Sequence, residues 1–204
     1  MRIDEKRMKT FIKSILEKEE LTEKEKLIAY NSIPARIILA ESEMKEVLEM
    51  LAEDWCIDVR RRVASNPNTP ISVLEKLAED ENWCVREGVA ENPNTPASVL
   101  EKLAEDEETL VRGEVGENPN TPISVLEKLA NDESDWVRHH VARNPNTPAS
   151  ALERLAEDED WTIRFEVGKN PNTPISVLKE FVKHKYLSDA VYQNPKVKEK
   201  LFKS

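Results

Sequence analysis

Ile71-Ser-Val-Leu-Glu-Lys-Leu-Ala-Glu-Asp80-Glu-Asn-Trp-Cys-Val-Arg86-Glu-Gly-Val-Ala90-Glu-Asn-Pro-Asn-Thr-Pro96 decides the fold, because it recurs. The pentapeptide Asn-Pro-Asn-Thr-Pro that closes it begins at Asn66, Asn92, Asn118, Asn144 and Asn170, four intervals of 26 residues each. A period held this strictly marks a repeat architecture in which each copy is one supersecondary module. A shortened copy reaches Asn194-Pro195 after 24 residues. Upstream, Val47, Leu48, Leu51, Ala52, Asp54, Val59, Arg60 and Val63 occupy the same slots, and Ile33 to Ser42 reads as the eroded second half of a further copy.

Each copy carries its own punctuation. Pro70 pushes Thr69 into the extended region and presets the first helical φ, which leaves the Thr69 hydroxyl positioned to cap a helix start. Val73, Leu74, Leu77 and Ala78 then form one apolar stripe on a first helix of about ten residues. After the break at Asp80-Glu81, Val85, Val89 and Ala90 form a second stripe that must stop before Asn92-Pro93. All four glycines, Gly88, Gly113, Gly116 and Gly168, fall in this second segment. Glycine inside a helix costs roughly 1 kcal/mol relative to alanine, so the second helix is expected to be short, weak and open to 3₁₀ geometry.

Helices this short bury little alone, and adjacent copies must cover each other's stripes. The expectation is an all-α solenoid of 26-residue two-helix repeats forming a single domain over 1–204. Within it, residues 1–44 would be a helical cap with a degenerate repeat, 45–194 the tandem repeats and 195–204 a C-terminal cap helix. Residues 2–20 read as an amphipathic helix through Met8, Phe11, Ile12, Ile15 and Leu16, followed by a Thr22/Glu25 capping box. Val197, Leu201 and Phe202 are expected to close the other end.

The recurring order of Asp, Val-Arg, Val-Ala, Asn-Pro-Asn-Thr-Pro, Leu and Leu-Ala over residues 47 to about 195 resembles the leucine-rich repeat variant family, related in architecture to armadillo and HEAT repeats. The resemblance implies a right-handed α-α superhelix that pairs an α-helix with a second, often 3₁₀, helix. One relative of this kind carries an N-terminal cysteine cluster holding an iron-sulfur centre; here no cysteine precedes Cys56, so that property does not transfer. Cys56 and Cys84, without a CxxC pair, read as reduced packing residues. The resemblance otherwise implies a scaffold and no particular chemistry.

Asp54 and Arg60, Asp80 and Arg86, Asp106 and Arg112, Asp132 and Arg138, and Asp158 and Arg164 are each six apart. This is read as a structural ladder: the Asp caps the second helix, and the Arg reaches an Asp on its own or the neighbouring copy. The alternative, an Arg stripe for phosphates, is disfavoured by a carboxylate in register with every Arg. The Asn at 66, 92, 118, 144 and 170 are read as amides that satisfy turn backbone.

Slots that differ between near-identical copies are the candidates for function. After the ladder Arg stand Arg61-Arg62, Glu87-Gly88, Gly113-Glu114, His139-His140 and Phe165-Glu166. Arg61, Arg62, Glu87, Glu114, His139, His140, Phe165 and Glu166 are the candidate partner contacts, set against the plainer reading of drifting solvated positions. Trp55, Trp83, Trp136 and Trp161 precede the ladder Arg and are expected to cover apolar loop edges rather than anchor a partner. Ile71, Ala97, Ile123, Ala149 and Ile175 alternate, as do Ala90, Gly116, Ala142 and Gly168. This points to a duplicated two-repeat unit in which large and small residues would face each other.

Charge narrows the function classes. Net charge is −10, with nine basic and nine acidic residues in 1–44, 14 and 28 in 45–175, and seven and three in 176–204. An acidic body favours basic or neutral protein partners over nucleic acid. His139-His140, pointing about 100° apart on a helix, make a poor metal or catalytic pair. With no phosphate loop, nucleophile elbow or HExxH, the reading is non-enzymatic, with no cofactor and no metal. The sequence is expected to be soluble and cytoplasmic, without a membrane span, and a monomer or weak oligomer. Three functions remain in order: a protein-interaction scaffold using one superhelical face, nucleic-acid binding through second-helix arginines and C-terminal lysines, and a structural segment without a ligand.

Overall fold

The computed structural model describes residues 36–37, 39–41, 43 and 45–197, which are helical with short connections. The expected helix over 2–20, its Thr22/Glu25 box, and Leu201 and Phe202 lie outside the described residues. Two compact units are present, Met1–Asn92 and Pro93–Ser204. The first contains α1 (Lys45–Leu51), α2 (Ile57–Ser65), α3 (Ile71–Leu77) and α4 (Trp83–Glu91). The second contains α5 (Ala97–Leu103), α6 (Thr109–Glu117), α7 (Ile123–Leu129), α8 (Asp135–Arg143), α9 (Ala149–Leu155), α10 (Trp161–Lys169), α11 (Ile175–Phe181) and α12 (Ser188–Gln193). Odd-numbered helices are the first helices of the repeats, and even-numbered ones the second.

The second helices form the tightest seam. In the first unit α2 packs on α4, and in the second unit α6, α8, α10 and α12 pack in succession. Leu74, Leu77, Val85, Val89 and Ala90 are buried, as are Leu100, Leu103, Val111, Val115, Leu126, Leu129, Val137 and Val141. Each such leucine contributes on the order of 2 kcal/mol by leaving water. No helix pair holds that many apolar side chains alone, which is why stacking is required.

Two expectations about the helices are corrected. The second helix is a nine-residue α-helix, as in Trp83–Glu91, and the first spans only seven residues, as in Ile71–Leu77. Gly88, Gly113, Gly116 and Gly168 lower its intrinsic propensity, but each lies where an adjacent second helix approaches. A Cβ on Gly88 would meet the Arg61 carbonyl at 3.0 Å, and one on Gly168 would meet Ala190 Cβ at 2.7 Å. Close packing thus compensates the propensity lost.

Thr69 does not cap α3, whose N-cap position is Pro70. Its hydroxyl turns back and donates to Val63 O, a C-terminal carbonyl of α2, 2.5 Å away. Thr121 and Thr147 do the same to Val115 O and Val141 O. The hydroxyl therefore satisfies an orphan carbonyl at the end of one helix rather than an N–H at the start of the next. The second helix ends because Asn66, Asn92, Asn118, Asn144 and Asn170 are all extended ahead of proline, with ψ between 122° and 130°.

Candidate functional site

The polar residues that stacking consumes come first, since what they leave is the candidate site. Arg112 donates Nε to Asp132 Oδ2 (2.7 Å) and Nη2 to Asp132 Oδ1 (3.0 Å), across to the next repeat. Its Nη1 donates to the carbonyl of Asp106 in its own repeat (2.8 Å). Arg60 with Asp80 and Arg138 with Asp158 reproduce the fork. The Asp side chain does not occupy the N-cap position of the second helix. Asp132 Oδ1 accepts from Ser134 N (2.9 Å), closing the turn that leads into α8, and Asp54, Asp80, Asp106 and Asp158 do likewise for Cys56, Asn82, Glu108 and Asp160.

Burial alone would raise the Asp80 and Asp132 carboxyls. The guanidinium fork, the backbone N–H and two nearby arginine charges outweigh it, holding both below the usual aspartate range. The same forks raise Arg60, Arg112 and Arg138.

Arg36 is a rung that the sequence reading missed. It is buried and pairs Nε with Asp54 Oδ2 at 2.5 Å. The signal was present: Arg36 stands four residues before Ala40, as Arg60 stands four before Ala64, and Asn66 Nδ2 donates to Ala40 O as Asn92 Nδ2 does to Ala64 O. At the other end, the position 20 residues beyond Arg164 is His184 rather than Asp. Arg164 donates Nη1 to the carbonyls of Asp158 and Glu159 in its own repeat.

The asparagines are equally occupied. Asn144 Nδ2 donates to Gly116 O (2.8 Å) and Asn118 O (2.9 Å) of the preceding copy, while its Oδ1 accepts from Asn146 N (2.9 Å). Asn92, Asn170 and Asn194 make the same pair of backward donations, and all four are buried.

The variable stripe is only partly free. Gly88 and Gly113 are buried in helix seams. His140 is also buried, which removes it from direct partner contact; its Nδ1 lies 3.0 Å from Trp136 O and its Nε2 3.2 Å from Glu117 Oε2. Stacking therefore does fix some of these slots. Arg61 is exposed but reaches Glu87 at 3.0 Å, and Arg62 faces Glu41 at 3.5 Å. Glu114 is half-buried, and Glu166 pairs with Lys169 at 2.8 Å. His139 and Phe165 are half-buried on α8 and α10. Burial holds His139 below the usual histidine range, partly offset by the Glu166 carboxylate, so His139 presents a neutral ring at neutral pH.

The tryptophans reverse the expectation made for them. Trp55, Trp136 and Trp161 are exposed, at 72%, 46% and 58% of their surface, and only Trp83 is half-buried. Trp136 rests one edge in the gap left by Gly113, where a Cβ would come within 2.7 Å of its indole nitrogen, and its ring lies 4.5 Å from that of His140. Trp161 meets Phe165 edge to face at 6.3 Å, and Lys169 Nζ lies 5.6 Å from the Phe165 ring. The His139 ring lies 5.8 Å from that of His140, and Glu166 and Asp160 are within its electrostatic reach. Exposed tryptophan rings thus stand on both α8 and α10 in the unit Pro93–Ser204.

Chemical machinery is not evident on this face. Among the described residues no group of three or more His, Cys, Asp or Glu is placed to hold a metal ion. No described helix is long and apolar enough to cross a membrane. Cys56 and Cys84 are half-buried free thiols.

Comparison with known proteins agrees with this architecture. The sequence profile of the leucine-rich repeat variant family matches residues 83–108 and 135–160. The chain is similar to a solved structure described as a leucine-rich repeat variant with a novel repetitive structural motif, with TM-score 0.60 and 22% identity, over 91% of this chain and 80% of that one. A crystal structure of an engineered protein gives TM-score 0.41 at 16% identity, over 90% of this chain and 61% of that one. No curated protein matches.

Proposed function

We propose that this leucine-rich repeat variant protein is a non-enzymatic scaffold that binds another polypeptide through the second-helix face of the unit Pro93–Ser204. One observation carries the reading. After the Arg–Asp forks and the asparagine ladder have taken up the recurring polar groups, Trp136 and Trp161 remain exposed on successive second helices. Large rigid aromatics at a surface are the commonest anchors of protein interfaces, since they bury much area for few rotatable bonds.

The nucleic-acid alternative is less well supported. Arg60, Arg112 and Arg138 are each engaged by a carboxylate of the next repeat, so they are poor candidates for phosphate contacts. The test is quantitative capture of polypeptides by wild type and by a Trp161→Ser/Phe165→Ser variant of unchanged circular dichroism. Loss of saturable capture is expected; equal capture by both removes this face from the function.

A further inference from the structure

The aromatic face carries more information than exposure alone, because acidic side chains border it. Glu133 and Asp135 lie just before Trp136, and Glu159 just before Trp161; all three are exposed. The acidic residues that fork the ladder, Asp132 and Asp158, are already matched by Arg112 and Arg138; the carboxylates of Glu133, Asp135 and Glu159 form no fork with these arginines and act on them only at a distance, Asp135 Oδ1 also accepting from Trp136 N. Across 45–175 the chain has 28 acidic against 14 basic residues, which leaves no general cationic field for them to neutralise.

The rings themselves also favour cations. Lys169 Nζ lies over Phe165 at 5.6 Å, and elsewhere in the chain the Arg36 guanidinium lies 5.2 Å from the Trp55 ring centroid. Aromatic faces attract ammonium and especially guanidinium groups through the ring quadrupole. A carboxylate beside the ring adds Coulomb attraction for the same group.

From this juxtaposition, and resting on the scaffold reading above, we propose that the partner segment is an extended, arginine-rich polypeptide whose guanidinium groups sit on Trp136 and Trp161 against Glu133, Asp135 and Glu159. The spacing is compatible. Packed helices stand about 8–10 Å apart, and a chain in the extended polyproline II form advances about 3.1 Å per residue with three residues per turn, which puts residues three apart on the same side about 9 Å from each other. Arginines three residues apart therefore fall on α8 and α10 in turn.

The test uses the full chain and four fluorescently labelled 13-residue probes: arginine at every third position among Gly and Ser, the same with lysine, with glutamate, and with leucine. The arginine probe is expected to bind saturably with a change in tryptophan emission, and the lysine probe about threefold more weakly. Tenfold weakening is expected from Trp161→Ala, and three- to tenfold weakening from Glu133→Gln/Glu159→Gln, which leaves packing intact and so separates binding from folding. If the leucine probe binds as tightly as the arginine probe, with the same dependence on Trp161, the basic-partner proposal falls while the scaffold reading stands. If no probe binds and captured polypeptides are insensitive to Trp161→Ser/Phe165→Ser, both fall. Tighter binding of a single-stranded RNA, or self-association of the chain that Trp161→Ala abolishes, would also overturn the proposal by naming a different occupant.

Discussion

Asn144 shows how a single side chain can be more important than its size suggests. Its amide donates to two carbonyls of the preceding copy, Gly116 O and Asn118 O, the second of which also accepts from Thr121 N, and it accepts from Asn146 N. Asn144→Ala is expected to cost about 3 kcal/mol, since each buried group left unpaired costs roughly 1–3 kcal/mol. Asn144→Asp, nearly isosteric, should cost at least as much, because it sets a carboxylate against two carbonyl oxygens; urea unfolding of both variants would show the order. Glycines 168 and 113 make a second contrast. A Cβ on Gly168 meets Ala190 Cβ at 2.7 Å, held by its own backbone, whereas one on Gly113 meets the half-exposed Trp136 indole, which can swing away. Gly168→Ala should lose about 1–3 kcal/mol, partly recovered by adding Ala190→Gly. Gly113→Ala should be near neutral, with helix propensity offsetting the displaced ring, and should red-shift tryptophan emission.

At the scale of the element, the inter-repeat loop is held by one guanidinium that touches both sides of it. Arg112 donates to the Asp106 carbonyl behind and to the Asp132 carboxylate ahead, so the loop entering α6 and the loop entering α8 are joined. Removing one member of such a half-buried pair costs about 3 kcal/mol; Arg112→Ala should cost about that, and Arg112→Lys, which cannot fork, most of it. The forks also set an acid limit. The folded carboxyls of Asp80 and Asp132 lie below their usual range, so their stabilisation is complete above about pH 4 and is lost as pH falls through the lower folded values. Unfolding free energy should therefore drop steeply below about pH 4, and Asp132→Asn should flatten that slope as well as lower stability at pH 7.

The same elements show what could be read from the sequence and what could not. Fixed intervals and the Asn-Pro stop placed every repeat, and the apolar stripes named the core leucines correctly. The second helix is α-helical where the propensity cost of glycine leaves room for 3₁₀ geometry, because the gain from glycine lies in a neighbour's approach, which one copy cannot reveal. The Thr hydroxyl and the tryptophans were misassigned for a related reason: a local rule supplies candidate partners, but only the third dimension shows whether the chain turns forward or back. The alternation at Ile71, Ala97, Ile123, Ala149 and Ile175 likewise has no packing basis, since Ile71, Ile123 and Ile175 are exposed. His140 and Glu114 looked alike as variable slots, yet one is buried against Glu117 and the other only half covered.

For the molecule as a whole, excess negative charge acts on folding and on binding in opposite senses. The chain has 40 acidic and 30 basic residues, and most of the excess lies in the repeats. Surface pairs such as Lys76–Glu53 at 2.6 Å are exposed to solvent and contribute little, so added salt chiefly relieves self-repulsion. Ionic strength raised from about 0.01 M to about 0.3 M shortens the screening length from about 30 Å to under 10 Å. The thermal midpoint should consequently rise by a few degrees over that range, since roughly 1 kcal/mol moves a chain of this size by about 2–4 °C. An arginine-rich segment on the Trp136–Trp161 face experiences the same screening with the opposite consequence: its affinity should fall about tenfold or more over the same range. Calorimetry and fluorescence titration on one sample series separate the two effects. Parallel strengthening of fold and complex with salt would mean that the face recognises its partner through apolar burial, with Glu133, Asp135 and Glu159 serving only to keep the surface solvated.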